Sequence, residues 1–225
     1  MKNRNGWRKR LHDNGLSIAF GAMFVVFLIA QTLTGHATYN QDQRDHRQPT
    51  IGYREYLFSP HSIEATAENW ESEFLQMAMY VLLTVFLYQR GSAESKDPDK
   101  KEPVDREPSP SRKGAPRAVQ HGGLTLKLYQ NSLGLAFAIL FLVSFALHAA
   151  GGAAEYSEDQ LQHGGEAVGM LEYMATARFW FESFQNWQSE FLAVGSMVVL
   201  SIFLRQHGSP ESKPVDASHE ETGNG

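Results

Sequence analysis

No cysteine occurs in the 225 residues, which excludes disulfides, thiolate nucleophiles and cysteine-ligated zinc. A strong charge of either sign is lacking too. The formal net charge is −5, and no basic groove with interleaved aromatics offers itself to nucleic acid. Nucleophile elbows, Walker loops and dinucleotide-binding glycine patterns are missing, and Gly151-Gly152 and Gly164-Gly165 read as turn punctuation. Among nine histidines no pair has metal-ligand spacing on one helix. The nearest constellation is His36, His46 and His61 with Asp42 and Asp45, and scattered loop histidines are mostly solvated. No metal or other cofactor is expected.

What is present is a motif written twice. Asn69-Trp70-Glu71-Ser72-Glu73-Phe74-Leu75 returns 117 residues later as Asn186-Trp187-Gln188-Ser189-Glu190-Phe191-Leu192. The same offset carries Gly91-Ser92-Ala93-Glu94-Ser95-Lys96 onto Gly208-Ser209-Pro210-Glu211-Ser212-Lys213, Asn14 onto Asn131, and Tyr39 onto Tyr156. An ungapped register of this length predicts a duplicated unit, residues 14–96 and 131–213.

The mean hydropathy of −0.35 resembles that of a soluble chain, but the apolar residues are gathered into four blocks. Residues 16–33 and 133–150 have the length of a bilayer crossing, roughly 18 or more apolar residues. The first follows a basic start (Lys2, Arg4, Arg8, Lys9, Arg10), which also describes a signal peptide, with Gly35-His36-Ala37 as a passable cleavage site. Recurrence of the same element in mid-chain favours a retained helix. The other two blocks reach crossing length when counted from the motif, as 69–88 and 187–204, with Trp70 and Tyr88 at interfacial depth. The expected architecture is therefore all-α, a four-helix transmembrane bundle from two parallel two-helix repeats. A soluble four-helix bundle competes, but its helices need a polar face that 16–30 and 133–147 almost lack.

Polar stretches complete the division: a basic N-terminus at 1–13, outer loops at 34–68 and 151–186, a structureless Pro/Ser/Lys/Glu linker at 97–130, and a polar tail at 214–225. Loop 151–186 holds one basic residue, Arg178, against six acidic ones, whereas the N-terminus, the linker and the stretch from Arg205 onward bear Lys and Arg. By the positive-inside rule the termini and linker lie in the cytoplasm, and the protein in the cell membrane.

The candidate polar site in the membrane is Glu73 and Glu190, with Gln31 and His148 at the same depth and Asn69, Asn186, Trp70 and Trp187 of the same motif beside them. A carboxylate in hydrocarbon must face protein, water or headgroups. A Glu190–His148 contact, or the two glutamates meeting across the pseudo-twofold axis, is one outcome; the other is that both glutamates sit at outer helix N-termini and favour the macrodipole. Ser17 and Gly21, with their equivalents Gly134 and Ala138, have the small-xxx-small spacing of close helix packing.

The motif, the Asn14-Gly15-Leu16-Ser17 start and the Gln89-Arg90-Gly91-Ser92-Ala93-Glu94-Ser95-Lys96 end resemble those of an uncharacterised bacterial family of multi-pass integral membrane proteins. The resemblance spans all but the termini and the linker. It implies membrane location and brings no catalytic residues. The second copy departs from the first at Gln185 and Gln188, where the first has Glu68 and Glu71.

Three functions are open on these grounds. One is a non-enzymatic membrane protein working through assembly, its partners the lipid bilayer and a homo-oligomer or another membrane protein. The second is an oligomeric channel or proton- or cation-coupled transporter subunit using Glu73 and Glu190. The third, a membrane enzyme, has no nucleophile or metal set behind it.

Overall fold

A computed structural model of the chain describes residues 6–223, so Lys2 and Arg4 of the basic start lie outside the described residues. The architecture is all-helical, with no strand among the described residues. In chain order the α-helices are α1 (Gly6–Asp13), α2 (Gly15–Asp45), α3 (Tyr53–Tyr56), α4 (Pro60–Phe86), α5 (Arg117–His121), α6 (Gly123–Gln130), α7 (Ser132–Gln162), α8 (Met170–Met174) and α9 (Ala177–Phe203). A 3₁₀ turn at Pro103–Asp105 and helices α5 and α6 occupy the stretch that composition alone reads as structureless.

Helices α2 and α7 are long and apolar enough to cross a membrane. Each has 31 residues, about 46 Å of helix. Of the 18-residue apolar window of α2 only 6% is buried, and of that of α7 17%. Leu16, Phe20, Phe24 and Phe27 therefore stand on an open apolar surface, an arrangement compatible with membrane association.

The 27-residue helices α4 and α9 start well ahead of the motif, which shortens the loops read from sequence. Their starts are fixed by caps. The Ser59 hydroxyl accepts the amide of Ser62 at 3.2 Å, and Thr176 accepts that of Phe179 at 3.3 Å. Pro60 at the first helical position of α4 is compatible with its fixed φ. Glu71 and Glu73 thus lie about three turns inside α4, so an N-terminal macrodipole has no hold on them.

Within each half, a tyrosine on the short helix tucks against a glycine of the preceding long helix. A Cβ on Gly35 would run into the Tyr56 hydroxyl, and one on Gly152 would stand 2.5 Å from the Tyr173 ring. The two halves meet chiefly through α4 and α7, which run against each other along much of their length. Tyr173, Phe179, Ala149 and Ala153 form the buried apolar core beside that contact.

Past the ends of α4 and α9, the Gly-Ser-x-Glu-Ser-Lys segments fold alike. Ser95 Oγ accepts the amide of Gln89 at 2.8 Å, and Ser212 Oγ that of Gln206 at 2.9 Å. Gly91 and Gly208 take φ of 84° and 82°, a conformation glycine enters without steric cost. Gly91 follows the helix by several residues and so is not its C′ residue. The tail packs back on this turn: Gly91 N–H donates to Thr222 Oγ1 at 2.8 Å, and Gly223 N–H donates to the Ser92 carbonyl at 2.9 Å.

Candidate functional site

The pitch of α4 decides which motif glutamate meets α7. Residues two apart point about 200° away from each other, so Glu71 and Glu73 cannot face the same neighbour. Glu71 is the one turned inward, fully buried, with its Oε2 accepting a hydrogen bond from His148 Nδ1 at 2.7 Å. Its other oxygen accepts the indole N–H of Trp187 at 2.9 Å. The imidazole stacks on Phe179 at 4.8 Å between centroids, which fixes the ring plane.

Around His148 stand further carboxylates from three helices. Glu64 and Glu68 come from one face of α4, one turn apart, and Glu182 from α9, with Oε2 3.6 Å from His148 Nε2. One ligand-type atom from each of Glu64, Glu68, His148 and Glu182 lies within 4.8 Å of all the others. The carboxylates are themselves held from outside. Asn186 Nδ2 donates to Glu68 Oε1 at 2.8 Å, Arg178 Nε donates to Glu182 Oε1 at 2.8 Å, and the Tyr173 hydroxyl donates to Glu182 Oε2. Glu155 of α7 lies beside Glu64 and 3.8 Å from the Arg178 guanidinium.

Electrostatics differ across the cluster. Burial, and then the neighbouring Glu155, push the Glu64 carboxyl up to about 9, so at neutral pH it keeps its proton. Glu64 lies ahead of the apolar stretch that begins at residue 69. Burial also acts on Glu182, but hydrogen bonds from Tyr173 and Arg178, with the His148 ring 3.6 Å away, hold it below the usual carboxylate range. The cluster thus pairs a protonated acid with an ionised one a few ångströms away, a place able to hold a proton or a cation.

The sequence-derived residues divide between this cluster and the open surface. His148, Asn186 and Trp187 belong to the cluster. Glu190 does not meet His148, and neither Glu73 nor Glu190 makes a side-chain hydrogen bond among the described residues; Glu73 is exposed and Glu190 half-buried. Gln31, Asn69, Trp70 and Glu73 line an open groove of about 720 Å³ between α2 and α4. Asn69 donates to the Ala65 carbonyl of its own helix at 2.7 Å, and the Trp70 ring lies 6.1 Å from Phe24. Of the small residues, Gly134 is at a helix contact, where an added Cβ would stand 3.3 Å from the Leu82 side chain, and Ala138 is half-buried. Ser17 is exposed and Gly21 meets nothing within 4 Å. Of the first-loop histidines, His36 bonds the Ile51 carbonyl at 2.8 Å and His61 bonds Tyr56 at 3.1 Å, so they do not converge.

Sequence reasoning missed Glu64, Glu68, Glu71 and Glu182. A signal existed in the register: where the first half has Glu71 the second has Gln188, and where the second has His148 the first has Gln31. Those reciprocal exchanges mark one acid–imidazole pair per chain rather than two.

The chain belongs to the DUF6766 family. The family model, described as a domain of unknown function, matches residues 7–224. No curated protein and no solved structure matches the chain. Membership in this family therefore extends over nearly the whole chain and leaves the chemistry to be read from the site itself.

Proposed function

We propose that the protein is a non-enzymatic, multi-pass integral membrane protein, built from a duplicated two-helix unit, that works by assembling with further copies of itself. Both termini and the 97–130 linker face the cytoplasm, and the cluster around His148 lies toward the outer surface. The reading is carried by one comparison of faces. On α4, residues Glu64, Ala67, Glu71, Ser72, Gln76 and Ala78 are buried; on α9 their counterparts 117 residues on, Phe181, Phe184, Gln188, Ser189, Ala193 and Gly195, are all exposed. Likewise Gly134, Ser144, His148 and Gly151 of α7 are buried, while Ser17, Phe27, Gln31 and Thr34 of α2 are exposed. The chain closes the α4–α7 contact and leaves its counterpart, α9 with α2, open. Packing α9 of one copy on α2 of another repeats the internal contact and pairs Gln188 with Gln31 at the position of Glu71 and His148. A Gln–Gln hydrogen bond between helices in lipid adds roughly 0.6–2 kcal/mol.

The absence of cysteine makes the test clean. In membranes of cells carrying Gln31→Cys together with Gln188→Cys, mild oxidation is expected to give disulfide-linked dimers and higher species. A cross-link confined to single chains, or none at all while both thiols remain reactive, overturns the reading.

The groove lined by Gln31, Glu68, Asn69 and Glu73 favours a second reading, a solute path in an oligomeric channel or transporter. Cation or proton flux in liposomes that disappears in Glu73→Gln with Glu190→Gln supports it; flux that persists, or is absent from the parent, removes it.

A further inference from the structure

The buried cluster carries more negative charge than its described neighbours balance. Glu64, Glu68, Glu71, Glu155 and Glu182 converge, and the only guanidinium or ammonium bonded to them among the described residues is that of Arg178. Removing such groups from water is costly unless protons or a cation compensate. One atom shows which compensation the site is shaped for. His148 is fully buried, its Nδ1–H is committed to Glu71, and its Nε2 is left with no hydrogen-bond partner, directed into the carboxylates.

We propose that Glu64, Glu68, Glu182 and His148 Nε2 bind one divalent first-row transition-metal ion. Their ligand atoms lie within 4.8 Å of one another. Bonds of about 2.0–2.2 Å place ligands roughly 3.3–4.4 Å apart, so a small contraction completes the shell. The supporting contacts are those a metal site requires. Glu71 fixes the imidazole tautomer and makes Nε2 the ligand atom, while Asn186 orients Glu68 and Arg178 and Tyr173 orient Glu182. One imidazole with three carboxylates suits Mn²⁺, Fe²⁺, Co²⁺ or Zn²⁺; Mg²⁺ and Ca²⁺ prefer oxygen alone, and Cu⁺ prefers sulfur. All four ligands belong to one chain, so the site stands whether or not copies assemble.

Full-length protein purified in mild detergent, stripped with a chelator and dialysed, is titrated calorimetrically with Mn²⁺ alone and with Zn²⁺ alone. The expected result is one ion per chain for at least one of them. His148→Gln and Glu68→Gln lose this binding. Glu71→Gln, which only orients the imidazole, weakens it about 10–100-fold. Glu73→Gln, outside the cluster, leaves it unchanged. Circular dichroism and gel filtration check each fold. Should a cluster variant fail to fold, a rise in the parent's Tm with Mn²⁺ or Zn²⁺ that Mg²⁺ does not produce takes its place in support. Folded parent protein that takes up neither ion stoichiometrically, or equal affinity in a folded His148→Gln variant, overturns the site and leaves protons to neutralise the cluster.

Discussion

The Nδ1 of His148 donates to Oε2 of Glu71 over 2.7 Å, joining the two halves of the chain at a point from which water is excluded. The counterparts of these residues 117 positions away, Gln31 and Gln188, are both exposed. A buried acid–imidazole pair formed across the register, with neutral amides at the equivalent places, predicts how the pair can be replaced.

Truncating one partner leaves the other stranded. Glu71→Ala deprives both His148 Nδ1 and the Trp187 indole of their acceptor, and such a break costs about 3–5 kcal/mol. The double variant Glu71→Gln with His148→Gln installs the amide pair found at Gln188 and Gln31, and is expected to recover most of that loss. Denaturant unfolding in detergent micelles measures the cycle. Equal destabilisation by the single and double changes would show that the pair is not the contact that matters.

A second prediction separates two glycines that look alike in sequence. A Cβ on Gly151 would stand 2.9 Å from the backbone nitrogen of Glu64, and backbone cannot swing aside. Gly151→Ala therefore forces α4 from α7 and costs about 1–3 kcal/mol, the usual toll of overpacking. Gly21 has nothing within 4 Å, so Gly21→Ala leaves the Tm unchanged or slightly higher. Thermal unfolding of the two variants side by side decides this.

These two cases mark how far sequence carries. Four long helices, the paired turns after them and the family motif are legible because each depends on local pattern: apolar runs, a cap residue, a glycine at positive φ. Helix starts are less so, since Ser59 and Thr176 cap ahead of the motif and the apolar run begins a few turns later. The cluster is hardest. Glu64, Glu68, Glu71 and Glu182 converge only because α4 packs on α7 of the other half rather than on its own hairpin partner alone, and that choice of neighbour is a long-range fact. Glu73 and Glu190 drew attention as the charges the two copies share, yet what the copies share is the surface, and where they differ is the site.

The tail supplies a third prediction. Lys213 is almost fully buried, at 1% exposed, with its ammonium donating to the carbonyls of Ser218, His219 and Glu221 at 3.0, 3.2 and 2.8 Å. Lys213→Met keeps the stem and removes all three donations that hold residues 218–221 in place. The tail then leaves Gly91–Ala93, and limited proteolysis is expected to trim residues 214–223 much faster than in the parent. At the equivalent position, Lys96 donates to Asp105 at 2.7 Å and lies over the Tyr88 ring, neither of them in the tail, so Lys96→Met leaves the trimming rate of the tail unchanged.

Topology gives the last prediction, and the cysteine-free background allows it to be read one residue at a time. Ser111 lies exposed in the segment joining the halves, among Arg106, Arg112, Lys113 and Arg117. Gln48 lies exposed beyond the far end of α2. Basic residues close to a crossing are retained on the cytoplasmic side, because moving them across the membrane works against the potential and against their hydration. A thiol at Gln48→Cys is therefore expected to react with a membrane-impermeant maleimide in intact cells, and one at Ser111→Cys only after the cells are opened. The reverse pattern would turn the whole assembly over and put the His148 cluster on the inner face. Reaction of both thiols in intact cells, with α2 and α7 still in the membrane fraction, would instead mean that α4 or α9 does not cross. Those two helices have only about half their length in apolar sequence, so the labelling of Ser111→Cys is the decisive measurement for the four-crossing arrangement.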